Sequence, residues 1–133
     1  MKIGINGFGR IGRAVFRINE LQEAFDLVVI NDINVDNNNI AYLTEYDTTY
    51  GRFNHEVTAN DKSIQYNNKK IDIFHKENIL DVPWDEYDVD VVIDSSGIEG
   101  NLNNIKFKNN TKVKHYIVTN AAGDGVKTII FGV

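Results

Sequence analysis

The spacing of apolar residues changes period several times along the chain, and each change marks an element. Lys2–Asn6 is a short apolar run of strand length that stops at a glycine cluster. Over residues 10–25 the apolar positions Ile11, Val15, Ile18, Leu21 and Phe25 recur every three to four residues, which predicts an amphipathic helix carried by that stripe. Leu27-Val28-Val29-Ile30 follows as a buried strand and closes a strand-helix-strand unit with a parallel crossover. Ile40, Leu43 and Tyr46 predict a second helix over residues 36–47 with Asp36 as its N-cap. Residues 55–74 alternate differently. Val57, then Ile64 and Tyr66, then Ile71 and Ile73, parted by Asn60-Asp61 and Asn67-Asn68, read as short antiparallel strands. Residues 77–84 hold the single proline and predict one helical turn, 89–94 a buried strand, 99–107 a short helix, and 116–119 and 128–131 two more strands. The sum is one α/β domain, an open and mainly parallel sheet with an antiparallel excursion around 55–74 and no repeat, linker or internal boundary.

Composition narrows the chemistry. With 133 residues, 42% hydrophobic and 25% charged, the chain is long enough for a single core and too mixed for low-complexity disorder. It has no cysteine, which excludes a thiol nucleophile, a thiolate zinc site, an iron-sulfur cluster and a redox dithiol, and favours a reducing compartment. A net charge of −5 argues against nucleic acid and anionic membranes as partners. No apolar run approaches the ~20 residues of a spanning helix, and the amino terminus enters a strand directly instead of a signal-peptide segment, so a cytoplasmic location is expected. The asparagine runs, such as Asn37-Asn38-Asn39, carry no functional weight.

Gly7-Phe8-Gly9-Arg10-Ile11-Gly12 fits G-x-G-x-x-G, a weak signal alone and a stronger one between a predicted strand and a predicted helix. There Gly7 supplies the tight turn, Gly9 lets backbone approach a pyrophosphate, and Gly12 lets the helix pack close to the strand. The helix N-terminus offers free N–H groups and a partial positive charge to the phosphates. Asp32 follows at the end of the second strand, where a carboxylate accepts hydrogen bonds from an adenosine ribose and repels a 2′-phosphate. The expected fold is therefore Rossmann-like and doubly wound, and the expected cofactor is NAD in preference to NADP.

These residues also resemble a known family. Residues 2–13, Ile30-Asn31-Asp32 and Tyr46-Asp47-Thr48-Thr49-Tyr50-Gly51-Arg52-Phe53 are similar to the amino-terminal half of phosphorylating glyceraldehyde-3-phosphate dehydrogenase. Ile73-Phe74 before Trp84, Val91-Val92-Ile93-Asp94-Ser95-Ser96-Gly97, Tyr116-Ile117-Val118-Thr119 and Phe131-Gly132-Val133 keep the family's order, so the likeness spans essentially the whole chain. The resemblance implies that the glycine turn with Arg10 and Ile11 contacts the pyrophosphate, Asp32 the adenosine ribose, and Ser96 and Thr119 the nicotinamide side. Three departures mark a divergent member: Glu77 where the family is usually basic, Asn120-Ala121-Ala122-Gly123 where it runs Ala-Pro, and Tyr50 where histidine is common.

The resemblance further implies that residues 1–133 are the NAD-binding domain and that the substrate domain, with its catalytic cysteine and general-base histidine, is absent from this chain. The chain alone is then expected to have no phosphorylating dehydrogenase activity and no catalytic residue. An exposed apolar patch is expected where the substrate domain would lie, covered by that domain or by self-association into a homo-oligomer. An erythrose-4-phosphate dehydrogenase, similar in this half, and a naturally short, non-catalytic nucleotide-binding module are the competing readings. His55, His75 and His115 lie apart without ligand-like neighbours, and the acidic cluster of Asp85, Glu86, Asp88 and Asp90 lacks the order of a calcium loop; no metal site is expected, and the cluster reads as a solvated loop. Lys106, Lys108, Lys112 and Lys114 form a small basic stretch that reads as a solvated helix end and loop.

Overall fold

Seven strands form one sheet in the order β5-β6-β7-β2-β1-β8-β9. The computed structural model describes residues 1–106, 111–121 and 125–130, and for Lys106 only the backbone. In chain order the elements are β1 (Lys2–Asn6), α1 (Arg10–Gln22), β2 (Asp26–Asn31), α2 (Asn37–Glu45), β3 (Tyr46–Asp47), β4 (Gly51–Arg52), β5 (Thr58–Ala59), β6 (Ser63–Tyr66), β7 (Lys69–Phe74), β8 (Val91–Asp94), α3 (Glu99–Lys106) and β9 (His115–Val118). Two short 3-10 turns, Ile79–Asp81 and Trp84–Tyr87, stand between β7 and β8. Strands β7, β2, β1, β8 and β9 run parallel, while β6 pairs antiparallel with β7 and β5 antiparallel with β6. The antiparallel excursion expected around 55–74 is thus the edge of the main sheet.

Alternation along the strands feeds two apolar layers, as a doubly wound sheet requires. Ile3 and Ile5 of β1, with Ile30, Ile71, Ile73 and Ile93, face α1 and α2. Val29 and Val92 face the opposite layer of Ile79, Val82 and Trp84, against which Ile105 of α3 packs. Gly4, between Ile3 and Ile5, sits under the Trp84 ring, where a Cβ would collide with Cζ3 and Cε3. Trp84 is fully buried and its indole N–H donates to the Ile79 carbonyl at 2.9 Å.

Helix α1 departs from the expected stripe. Its core-facing residues are Gly12, Phe16 and Asn19, with Val15 at the margin, whereas Ile11, Ile18 and Leu21 are exposed. One residue along a helix rotates the face by about 100°, and the aromatic cluster selects the face. The Phe16 ring meets Phe8, Phe53 and Tyr66 at centroid distances of 5.9, 5.3 and 5.2 Å. The helix ends at Gln22, short of Phe25, because the Asn19 side chain bonds both the N–H and the C=O of Phe25 (3.0 and 2.9 Å) and Glu23 adopts a left-handed cap.

Other boundaries move for equally local reasons. Asp36 caps α2 as expected, accepting from the Asn39 N–H at 3.1 Å. The helix stops at Glu45 because Tyr46–Asp47 pairs with Gly51–Arg52. The turn expected over 77–84 is two 3-10 turns, the second starting after Pro83. β8 starts at Val91, two residues later than expected, and α3 is described to Lys106, Phe107 lying outside the described residues. Residues 128–130 form no strand, and among the described residues none pairs with them to bury Ile129, which is 81% exposed. Phe131, the last residue of the expected strand, lies outside the described residues.

Candidate functional site

The order of strands places a crevice at the carboxyl end of β1. The chain moves from β1 outward to β2 and β7 on one side, then returns to β8 and β9 on the other, so β1 is flanked by the topological switch point at which open α/β sheets bind ligands. A cleft of about 230 Å³ opens there. Asn6, Gly7 and Gly9 line it from β1, Asn31, Asp32 and Ile33 from β2, Lys76 and Glu77 from the end of β7, and Ser95, Ser96 and Ile98 from the end of β8.

The glycines do different work. Gly7 has φ +88°, and a Cβ on it would lie 2.5 Å from the Cα and N of Ser96, so the turn and the next loop pack backbone to backbone. A Cβ on Gly12 would strike the Gly7 carbonyl, which lets α1 start directly against the turn. Gly9 is the N-cap of α1, makes no side-chain cap, and a Cβ there would enter open space. Backbone at Gly9 is therefore reachable from the cleft, beside the uncapped first turn of a helix that attracts anions.

Asp32 stands on the opposite lip. Its Oδ2 accepts from the Phe8 N–H at 2.7 Å and its Oδ1 from the Asn34 N–H at 2.8 Å. The carboxylate thereby ties the glycine turn to the loop after β2 while both oxygens keep a lone pair for a ligand hydroxyl. His75 supports it from behind, with Nδ1 at 2.8 Å from the Asp32 carbonyl. Ser96 also lines the cleft, but its hydroxyl is turned inward, donating to Asp94 Oδ1 at 2.7 Å and accepting from Asn101 Nδ2 at 3.0 Å. The Ser95 hydroxyl donates to the Gly7 carbonyl at 2.6 Å and so clamps the turn to β8.

Three expected site residues lie at the margin. Arg10 and Ile11 are exposed on the first turn of α1, and neither side chain lines the cleft. The Arg10 guanidinium reaches Thr49 Oγ1 at 3.5 Å, on a turn held by Asp47, whose carboxylate accepts from the N–H groups of Tyr50 and Thr49 (2.8 Å each) and is held below its usual range by those bonds. Thr119 sits one strand further out, its N–H donating to the Asp94 carbonyl at 3.1 Å.

Several residues of the site escape a reading of motifs. Asn6 and Asn31 are buried at the last positions of β1 and β2, register partners of each other, and Asn6 pairs likewise with Asp94 at the end of β8. A polar residue closing each of three apolar strands is the signal that would have found them. The acidic and basic runs weighed separately in the sequence prove to meet. Asp85 accepts from Thr111 and from the Lys112 N–H, Asp88 pairs with Lys112 at 3.1 Å, and Asp90 pairs with Lys114 at 2.8 Å. The acidic run is therefore a partnered surface; Lys108 lies outside the described residues. Among the described residues no cluster of three or more His, Asp or Glu could hold a metal, and no helix is long and apolar enough to cross a membrane.

A glycine turn, an uncapped helix start and a strand-end acid around one crevice suit a dinucleotide, and comparison with known proteins agrees. Residues 1–102 match the family model described as glyceraldehyde 3-phosphate dehydrogenase, NAD binding domain. The chain belongs to this family. It is similar to glyceraldehyde-3-phosphate dehydrogenase 1 of Bacillus cereus, with 39% identity over 99% of this chain and 39% of that protein. Glyceraldehyde-3-phosphate dehydrogenase of Borreliella burgdorferi is 38% identical over 100% of this chain and 41% of that protein, and that of Escherichia fergusonii 43% identical over 74% and 29%. The chain spans about two-fifths of the length of the first two. It is a glyceraldehyde-3-phosphate dehydrogenase NAD-binding domain, and its cofactor is NAD. The named relatives lend no support to the erythrose 4-phosphate reading.

Proposed function

We propose that this domain holds NAD for a glyceraldehyde-3-phosphate dehydrogenase whose substrate-binding and catalytic groups lie outside residues 1–133. The observation that carries the reading is the cleft at the switch point, with Gly9 open to it and Asp32 on its far lip. In this reading the pyrophosphate lies over Gly7, Gly9 and Gly12, bonded by first-turn backbone N–H groups of Arg10 and Ile11. The side chains of those two residues, neither of which lines the cleft, contribute little. Asp32 accepts from the adenosine ribose and disfavours a 2′-phosphate. Ser96 and Thr119 border the nicotinamide side, Ser96 through its backbone because its hydroxyl is engaged. Bound NAD supplies a hydride acceptor; this chain's residues orient it and provide no nucleophile or general base.

A cleft of about 230 Å³ is smaller than the roughly 300–1,000 Å³ of enclosing ligand sites. Because nicotinamide contacts and water exclusion would come from groups outside residues 1–133, binding to this chain alone is weak, about micromolar to millimolar. Ile11, Ile18 and Leu21 expose an apolar face of α1, beside a groove of about 510 Å³ lined also by Arg17, Tyr50 and Phe53. We assign that face to contact with a substrate domain or a second copy, as part of a homo-oligomer working in glycolysis in the cytoplasm. A larger cavity does not make this groove the cofactor site, since it contains no helix start, glycine turn or strand-end acid. The net charge of −5, with Lys112 and Lys114 of the basic run paired to Asp88 and Asp90, supports the expectation that nucleic acid is not a partner.

Backbone hydrogen exchange with and without NAD tests the placement. Added NAD is expected to slow exchange at residues 7–12, 32–34 and 95–98. Protection confined to the α1 groove would overturn the assignment.

A further inference from the structure

The floor of the cleft is one connected set of buried side-chain hydrogen bonds. Asn31 bonds both polar groups of the Lys76 backbone, its Oδ1 accepting from the N–H at 2.8 Å and its Nδ2 donating to the C=O at 2.9 Å. Asn31 Nδ2 also donates to Asn6 Oδ1 at 2.7 Å, and Asn6 Nδ2 donates to Asp94 Oδ1 at 2.9 Å. The same Asp94 oxygen accepts from the Ser96 hydroxyl at 2.7 Å, the Ser96 N–H at 3.3 Å and, at the long limit, Asn101 Nδ2 at 3.5 Å. Asn6, Asn31, Asp94 and Asn101 are each at most 4% exposed.

We propose that Asp94 is a positioning residue for the cofactor, acting through Ser96 and Asn101 to fix the loop after β8 as the nicotinamide-side wall of the cleft. The proposal rests on the NAD reading above. Three apolar side chains would close these strand ends at a smaller desolvation cost. What the polar set adds is directional bonding that ties the ends of three strands and the loop after β8 to one another. Ser96, expected on the nicotinamide side, spends its hydroxyl on this network, so the loop's place is set from beneath. Among the described residues Asp94 Oδ2 is buried without a hydrogen-bond partner, so the carboxylate's bonds to them use one oxygen. Asparagine can reproduce those bonds through its own carbonyl oxygen.

The network separates the two ends of the ligand. Asp32, just after β2, serves the adenosine ribose, while the loop controlled by Asp94 lies across β1 on the other half of the crevice. Titration calorimetry with NAD and with AMP on the wild-type chain, Asp94→Asn, Asp94→Ala and Asn101→Ala, each checked for folding by circular dichroism, tests the role. Asp94→Ala is expected to weaken NAD about tenfold or more, as loss of a buried acceptor shared by several donors implies, and AMP by less than about threefold. Asn101→Ala is expected to shift the ratio of NAD to AMP affinity in the same direction, and Asp94→Asn to restore it. If Asp94→Ala does not fold, Asn101→Ala decides. Parallel changes for NAD and AMP in the folded variants, or no change in either, would overturn the proposal alone. A folded wild-type chain that binds no NAD would overturn the reading beneath it as well.

Discussion

Two glycines two residues apart are expected to respond to the same substitution in opposite ways. Gly7→Ala places a side chain at φ +88°, a left-handed conformation that costs an L-residue roughly 1–2 kcal/mol. Its Cβ would also lie 2.5 Å from backbone atoms of Ser96. Neither backbone can rotate away, so the β8 loop must move, at an overpacking cost of about 1–3 kcal/mol. The sum, about 2–5 kcal/mol, is a large part of the ~5–15 kcal/mol that holds a domain of this size together. At roughly 4 °C per kcal/mol for a domain of this length, the melting midpoint should fall by about 8–20 °C. Gly9→Ala meets no atom within 4 Å, at φ −78°, so its stability should stay within about 1 kcal/mol of wild type. Its methyl group instead occupies the space where backbone meets pyrophosphate, and NAD affinity should drop about tenfold or more. Thermal melts followed by calorimetry on both variants read the two effects. A Gly7→Ala chain that melts with the wild type, or a folded Gly9→Ala chain with unaltered NAD affinity, would refute the reasoning.

Other parts of the molecule give independent tests. Gly4→Ala drives a methyl group into the Trp84 ring and should cost about 1–3 kcal/mol by urea unfolding, with a red shift in the emission of the single tryptophan; unchanged emission and midpoint would contradict the packing. Glu45 is buried, with its Oε2 accepting from the Val57 N–H and its Oε1 from Arg52, and these bonds hold its pKa below the usual value. A depressed folded pKa contributes stability that is complete above the unfolded value and lost as pH falls through the folded one. Stability measured downward from about pH 5 should therefore fall less steeply in Glu45→Gln than in wild type, and equal slopes would exclude the linkage. Arg17→Ala removes bonds to the carbonyls of Thr44 and Glu45 (3.0 and 3.2 Å) and a guanidinium over the Phe53 ring, and should cost about 1–3 kcal/mol in a urea melt.

Much of this architecture is legible in the sequence because its signals are local. A strand that stops before Gly7, a helix that opens at Arg10 and an acid just after β2 need no long-range information, and the structure brings Gly7, Gly9 and Asp32 around one cleft. What the sequence hides depends on tertiary choice. The α1 stripe is apolar on two flanks, and only the Phe8, Phe53 and Tyr66 rings decide that Phe16 turns inward and Leu21 outward. Ser96 is a polar residue at a strand end by sequence, but its hydroxyl direction depends on Asp94 beneath it and Asn101 on a later helix. The residues of the cleft floor were hidden for the same reason, since Asn6, Asn31 and Asp94 become a network only when three strands align in register.

The central claim is that Asp32 and the glycine turn together bind NAD, and calorimetric titration of NAD and NADP into the wild-type chain and Asp32→Asn tests it most directly. Asparagine keeps one acceptor for the Phe8 or Asn34 N–H while removing the charge. The account predicts saturable NAD binding by the wild type and NADP weaker by about tenfold or more. In Asp32→Asn it predicts weakened NAD and a narrowed gap between the two ligands. Equal affinities for NAD and NADP in both folded chains, with no loss in the variant, would contradict it.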